Sequence, residues 1–287
     1  MGWEPISLEV LVVPGGDAPG GSLPGTCRAT IDTGVAHPAR VYDYWLGGKD
    51  NYAADREAGE QALLAYPQIR GNVRSNRAFL RRAVRYLAGS QGIRQFVDIG
   101  TGLPSADNTH EVAQRVAPEC RVVYVDSDPI VLSHARALLA SGPAGACAYL
   151  DADLRDTGKI LALAGDTLDL ARPVAVMLLA VLLYVPDEDG PCEIVRRLVA
   201  AVPAGSFLVI SHPSPDLAPP WAAGSMSQLN ERMAAPATLR ARVQVQRFLD
   251  GLELVEPGLV ATSQWRPDSA VEAARSSAEW AAVARKP

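Results

Sequence analysis

From residue 93 to residue 213, short runs that are apolar throughout alternate with segments of helical character. "RQFVDIG" precedes "NTHEVAQRVAP", "CRVVYVDSDP" precedes "IVLSHARALLA", and "GACAYLDADL" precedes "TGKILALAG". "RPVAVMLLAVLLYV" then precedes "PCEIVRRLVAAV", and "GSFLVISHP" closes the series. A strand that is apolar on both faces cannot leave either face in water. Such strands, joined by helices, belong to a parallel sheet covered on both sides, with right-handed crossovers. The expectation is a doubly wound α/β sheet. Further on, "TLRARVQVQRFLDG" (238–251) reads as a helix, while "LELVEPGLV" and "EWAAVARKP" read as an antiparallel pair at one sheet edge. No repeat and no internal boundary are expected within 93–287.

The chain before this series has a different character. Residues 1–36 are rich in Gly and Pro and aperiodic, as in "VVPGGDAPGGSLPGTC", and read as a flexible extension. Residues 37–92 read as a set of helices: 38–46 ended by Gly47, 54–66 stopped by Pro67, and 72–90. Within them "VYDYWLGGKDNY" gathers tyrosines and Trp45 around Gly47 and Gly48, which is too aromatic for a linker. The 287 residues are 48% hydrophobic, ample for a large core. A net charge of −5 argues against a duplex-binding protein. Arg70, Arg74, Arg77, Arg81, Arg82 and Arg85 recur at helical spacing and read as a solvated face, with an anion or partner site as the alternative. Cys27, Cys120, Cys147 and Cys192 show no CxxC pairing and no metal-ligand spacing, so reduced thiols and no metal are expected. "LEVLVV" (8–13) is too short to span a bilayer, and the expected compartment is cytoplasmic.

Ligands of doubly wound sheets bind beyond the carboxyl ends of the strands, so the residues that follow each strand carry the chemistry. After the first come Asp98, Gly100 and Gly102, where two glycines permit a tight turn and a close backbone approach. The pattern begins a G-x-G-x-x-G fingerprint, but Ser105 replaces its third glycine and Pro104 intrudes, which weakens the case for a nicotinamide or flavin site. After the second strand comes Asp126, an acceptor-only carboxylate suited to both ribose hydroxyls, followed by Ser127; Asp128 reads as the cap of the next helix. After the third come Asp151, Asp153 and Leu154, an acid and an aliphatic side chain able to receive an adenine amino group and pack its ring. Asp151 and Asp156 also read as loop caps. A pyrophosphate calls for N–H groups or positive charge, yet here acids gather. That suits a cationic, phosphate-free nucleoside, S-adenosyl-L-methionine.

"DIGTG", "VVYVDSDP" and "DADL" together resemble motifs I to III of class I S-adenosylmethionine-dependent methyltransferases. With "ARVYDYWLGGKDNYAADRE", "NRAFLRRAVRYLA" and "VPDED", residues 36–287 resemble one such family of unestablished substrate, marked by an N-terminal YDYxLGGKDN-type signature. The resemblance implies a seven-stranded Rossmann-like sheet with an antiparallel last strand. It also implies that Asp98, Gly100 and Gly102 line the methionine portion, Asp126 the ribose, and Asp153 with Leu154 the adenine. Leu183-Tyr184 stands where the family pattern would lead one to expect a histidine-aromatic pair, so no histidine is available there.

On this reading residues 37–92 form a helical cap over the cofactor. Tyr44 and its aromatic neighbours supply apolar area and a favourable environment for a sulfonium, and Asn51, or Asn76 on the following helix, reaches the methionine carboxylate, with Arg77 to pair with it. Methyl transfer needs alignment and exclusion of water more than a dedicated base. The candidates for a base are Tyr184 and His212; His37 sits before the cap, while His110 and His134 read as structural. Trp221 and Met226 lie in a loop, "SPDLAPPWAAGSMS", suited to a lid or an acceptor wall. The expected function is methylation of a small-molecule acceptor, with no nucleic-acid or membrane partner. The alternatives are a non-catalytic S-adenosylmethionine-binding regulator or partner subunit and, less favoured, an NAD-dependent oxidoreductase.

Overall fold

The parallel series forms as expected. Strands β1 (Gln95–Ile99), β2 (Arg121–Asp126), β3 (Ala146–Asp151), β4 (Ala175–Leu179) and β5 (Phe207–Pro213) are mutually parallel in the order β3-β2-β1-β4-β5. The computed structural model describes residues 32–138, 141–222 and 229–287. The extension expected over 1–36 therefore lies outside the described residues up to residue 31.

The last strand, β8 (Glu279–Arg285), runs antiparallel to β5 over seven residues, Phe207 opposite Arg285 through Pro213 opposite Glu279. With the two short strands before it, it forms the antiparallel set expected at one edge of the sheet, and it is the inner member of that set. The short strand β6 (Glu253–Leu254) pairs on its other side, and β7 (Val260–Ala261) pairs with it too, so that among the described residues seven strands lie in the ordered path and β7 lies off it. Composition explains the insertion. Ala281, Ala282, Val283 and Ala284 are all buried, so this strand is apolar on both faces and needs neighbours. The exposed edge falls instead to a strand of only two residues, a length that discourages pairing with another molecule.

Alternation along each strand divides the core in two. Val97, Ile99, Val123, Val125, Val176 and Leu178 face one side, covered by helices α6 (Thr157–Ala164) and α7 (Pro191–Ala200). Phe96, Val122, Tyr124, Ala175 and Met177 face the other, covered by α3 (Ile69–Gly89) and α4 (Thr109–Val116). Helix α5 (Pro129–Leu138) starts at Asp128, whose Oδ1 accepts from Ile130 N at 2.8 Å, the capping role expected of it. Asp156 caps α6 through Lys159 N at 3.0 Å.

Ahead of the sheet, α1 (Pro38–Leu46) begins with proline in its first turn and ends at Gly47, φ 91°. Helix α2 (Ala53–Ala65) stops before Pro67. Residues 32–36, assigned to the extension from sequence, are instead tied in. Arg40, ion-paired to Asp55 at 3.1 Å, also donates to the carbonyls of Asp32 and Val35, and Ala36 bridges to Met233.

Two expectations change in the second half of the chain. The helix read over 238–251 is reduced to Arg242–Gln246 and a following 3-10 turn, Arg247–Leu249. Residues just before it are held away from helical geometry because the Arg240 side chain is buried. Its guanidinium donates to the carbonyls of Leu182 at 2.9 Å and Val185 at 2.7 Å, and pairs with Asp187 at 2.7 Å. The arginine face of α3 is also not a simple solvated stripe. Arg82 is buried and donates to the carbonyls of Trp265 and Thr262 and to Glu272, at 2.9, 2.7 and 3.0 Å. Arg81 pairs with the same glutamate at 2.7 Å and Arg85 with Asp268, so this face clamps the C-terminal segment onto α3. No helix among the described residues is long and apolar enough to cross a membrane.

Candidate functional site

The C-terminal ends of β1 to β4 open into a cavity of about 290 Å³, and the first helix lies across it. Nine of the residues read as cofactor-binding from sequence line it: Asn76, Arg77, Asp98, Gly100, Gly102, Asp126, Ser127, Asp153 and Leu154. Asp98 leaves β1 buried, accepting from Thr109 Oγ1 at 2.5 Å. Burial pushes its carboxyl up to about 6 against the opposing effects of the Thr109 hydrogen bond and Arg77, and the nearby Asp126 adds to the rise. Gly100 has φ 72° and touches Val181, so closely that a side chain there would put its Cβ 2.6 Å from the valine Cβ. Gly102, φ 63°, donates its N–H to Asp126 Oδ2 at 2.9 Å, while Asp128 N donates to Oδ1 at 3.0 Å. Burial raises the Asp126 carboxyl and these two amides partly restrain it. Asp126 is thus oriented by the backbone, and each oxygen keeps a lone pair for a ligand.

At the β3 exit, Asp153 is engaged by Arg155 through its backbone N at 2.8 Å and its guanidinium at 3.1 Å. Arg155 also reaches Asp189 at 2.6 Å and the Tyr184 carbonyl at 3.2 Å, tying the third and fourth strand exits together. Leu154 beside it is buried. Arg77 donates to the carbonyls of Ala106 and Asp107, each at 3.1 Å, which sets its guanidinium at the cavity wall. Asn76 is buried, accepting from Ser211 Oγ at 2.7 Å and donating to Tyr42 OH at 3.2 Å.

The structure places three candidates elsewhere. The Tyr44 hydroxyl is exposed and donates to Glu60 on α2, outside the cavity. Asn51 donates to Asp43 Oδ2 at 2.9 Å and to the Gly48 carbonyl at 3.1 Å; it stabilises the turn after α1 and does not line the cavity. Helical geometry explains both: Pro38, Ala39, Tyr42, Asp43 and Leu46 form the face of α1 turned to the cavity. Tyr42 is therefore the tyrosine of this segment that reaches it. His212 is fully buried within β5, its Nε2 3.1 Å from Arg240 Nη1 and its ring stacked on Phe248. Burial, with Arg240 beside it, holds its pKa down to about 4. Its neighbour Ser211 points toward Asn76, so alternation along the strand sends His212 to the opposite face. Tyr184, the other candidate base, does line the cavity; burial, then the nearby Glu279, raises its hydroxyl pKa.

Several cavity residues were not read from sequence as cofactor-binding. His37 Nδ1 lies 2.9 Å from Asp128 Oδ2 and joins the start of α1 to the loop after β2. Val181 and Arg155 join the wall from the strand exits. Ala180, at the end of β4, has φ 49°, a conformation that costs a non-glycine residue energy and that concentrates at sites where the chain must turn around a ligand. Helix-face counting from Pro38 would have found Tyr42. No sequence signal marks Ala180.

Behind Tyr42, Ala180 and Tyr184 lies a second, largely apolar chamber of about 120 Å³, which has these three residues, Pro38 and Ala235 in common with the first. Trp221 stands near it, edge-on to Tyr66 with ring centroids 5.7 Å apart. Met226, the other residue read as an acceptor wall, lies outside the described residues.

Residues 24–287 match the family described as S-adenosyl methyltransferase. Among solved structures, the chain is similar to a DUF574 family protein from Streptomyces avermitilis MA-4680, with 47% identity and a TM-score of 0.84 over 89% of this chain and 99% of that one. It is also similar to a protein of Thermobifida fusca YX named as a candidate methyltransferase, with 39% identity and a TM-score of 0.81 over 89% and 96% of the two chains. The fold is shared with the magnesium protoporphyrin IX methyltransferase of Synechocystis PCC 6803, solved with bound S-adenosylmethionine, at a TM-score of 0.51 and 14% identity over 91% and 100% of the two chains. No curated protein matches the chain.

Proposed function

The chain belongs to the S-adenosyl methyltransferase family, and on that premise we propose how the residues of its cavity hold the cofactor and meet a small-molecule acceptor. The protein is an S-adenosylmethionine-dependent methyltransferase. Asp126 accepts from the ribose hydroxyls, Leu154 packs against the adenine and Asp153 accepts from its amino group. Asp98 receives the amino group of the methionine portion, and Arg77 with Asn76 its carboxylate. Gly100 and Gly102 let the β1 turn run against the ligand without a side chain between them.

The observation that carries this reading is the pairing of acids with a side-chain-free turn. Asp98 and Asp126 are raised by burial, and among the described residues neither forms an ion pair. A cationic nucleoside supplies the missing charge, whereas a diphosphate would oppose it. When bound, S-adenosylmethionine supplies a methyl group already activated by its sulfonium. What the protein adds is alignment and exclusion of water, through the aromatic faces of Tyr42 and Tyr184 and the first helix closing over the strand ends. We assign residues 37–92 to a cap for that reason and regard the YDYxLGGKDN-type stretch as its family mark: Gly47 ends α1, and Asp43, holding Asp50 N at 3.0 Å and Asn51, fixes the turn after it. The free thiols of Cys120, Cys147 and Cys192 support a cytoplasmic setting.

The test is calorimetric titration with S-adenosylmethionine and S-adenosylhomocysteine. Replacing Asp126 by Asn keeps its shape and removes its charge. A loss of about 10- to 100-fold in affinity is expected, the range for hydrogen bonds to a charged group. A folded Asp126→Asn protein with unchanged affinity for both ligands would overturn the assignment.

A further inference from the structure

The second chamber contains one buried carboxyl group with no counter-charge. Its walls include Trp45, Tyr66, Ile69, Leu183, Met233 and Leu239. Among the described residues, the other fully buried side-chain nitrogens and oxygens of its lining have hydrogen-bond partners. Trp45 Nε1 donates to the Gly59 carbonyl at 3.1 Å, Asn72 Nδ2 to Tyr66 OH at 3.3 Å, and Asn230 Nδ2 to the Ala237 carbonyl at 2.9 Å. Ser214 Oγ accepts from Asp216 N at 3.2 Å. Glu279 is the exception: it is buried, and its Oε2 has no hydrogen-bond partner among the described residues.

Its position follows from topology. Strand β8 runs against its parallel neighbours, so its first residue, Glu279, stands opposite Pro213 at the ligand-binding edge of the sheet. The other buried acids have a basic side chain beside them or border the cofactor cavity. Asp55 pairs with Arg40 at 3.1 Å, Glu272 with Arg82 at 3.0 Å, and Asp128 with His37 at 2.9 Å. Asp43, Asp98 and Asp126 line the first cavity.

We propose that the second chamber receives the methyl acceptor and that Glu279 is the counter-ion for a cationic amine on an otherwise apolar molecule. This rests on the reading of the first cavity as the cofactor site. An ammonium group gives Glu279 the counter-charge that Asp55 and Glu272 have, and the aromatic rings of Tyr42 and Tyr184 at the shared wall favour a cation too. Burial alone pushes the carboxyl up to about 8, a cost that a bound cation relieves. A neutral alcohol leaves that cost in place, and an acidic acceptor increases it.

The experiment titrates the full chain, saturated with S-adenosylhomocysteine, with phenethylamine and tryptamine and with their neutral analogues 2-phenylethanol and tryptophol. Both amines are expected to bind at least about tenfold more tightly than their alcohols, the scale of a hydrogen bond to a charged group. In Glu279→Gln and Glu279→Met that margin disappears while S-adenosylhomocysteine affinity stays at the parent value. Equal affinity for amine and alcohol, no binding by either amine at millimolar concentration, or a margin retained in both variants would overturn the inference and leave the cofactor reading standing. Failure of the parent chain to bind S-adenosylhomocysteine would remove the cofactor reading and this inference together.

Discussion

Glu279 sets the sharpest prediction at the scale of single residues. Its carboxyl is held up to about 8, against 4.5 for a free side chain. Between those values the folded chain keeps a proton that the unfolded chain has lost, so stability falls as pH rises, by at most about 1.4 kcal/mol per unit. His212 works in the opposite sense: its folded value of about 4 lies below the ordinary 6.5, so its contribution is lost as pH falls through that window. From pH 6.5 to 8 the Glu279 effect stands clear of that of His212. Melting temperatures should decline across this range in the parent and be flat, and higher, in Glu279→Met, because an unpaired buried carboxyl has been replaced by an apolar side chain. Gly100 gives a second prediction. Gly100→Ala puts a methyl group against Val181 at φ 72°. It should cost about 1–3 kcal/mol in denaturant unfolding, with only part regained in a Gly100→Ala, Val181→Ala double variant, since removing the clash leaves the backbone strain. The acids at the strand tips were legible in the sequence because each stands at or just beyond the end of an apolar run. Tyr44 and His212 were misplaced because their side chains lie on the wrong face of a helix and a strand, and facing depends on phase as well as proximity. Glu279 was not legible at all, since its place at the ligand edge follows from an antiparallel strand inserted between two others.

Among the elements, α3 joins the two halves of the molecule. Its arginines read as a solvated stripe on spacing alone, yet Arg82 is buried and holds the carbonyls of Thr262 and Trp265 as well as Glu272. Arg82→Ala leaves the buried Thr262 and Trp265 carbonyls without their donor and Glu272 with Arg81 alone, and should cost about 3–5 kcal/mol in urea unfolding. Arg74→Ala, on the same helix and with no ion pair among the described residues, should stay within about 0.5 kcal/mol of the parent. If the two variants unfold alike, the clamp is not structural. The parallel strands and their helices were legible because uniform apolarity and helical spacing are local signals. The shortened helix at 242–246 was not, because what stops it is Arg240 reaching carbonyls near residue 183, a contact that local propensity does not contain.

At the scale of the whole molecule, a sheet whose strand tips carry acids, Asp98 and Asp126 among them without an ion pair, meets a first helix carrying Tyr42, and a second chamber lies behind them. The acids were visible from sequence and implied the cofactor; the chamber was not, because its walls come from segments far apart in the chain. The measurement that tests this arrangement most directly is a crystal structure of the S-adenosylhomocysteine complex. The ribose is expected on Asp126, the adenine against Leu154, the amino-acid end near Asp98 and Arg77, and the thioether sulfur toward Tyr42 and Tyr184, the wall shared with the second chamber. A ligand bound in the reverse orientation, or anywhere other than the cavity at the ends of β1 to β3, would contradict it.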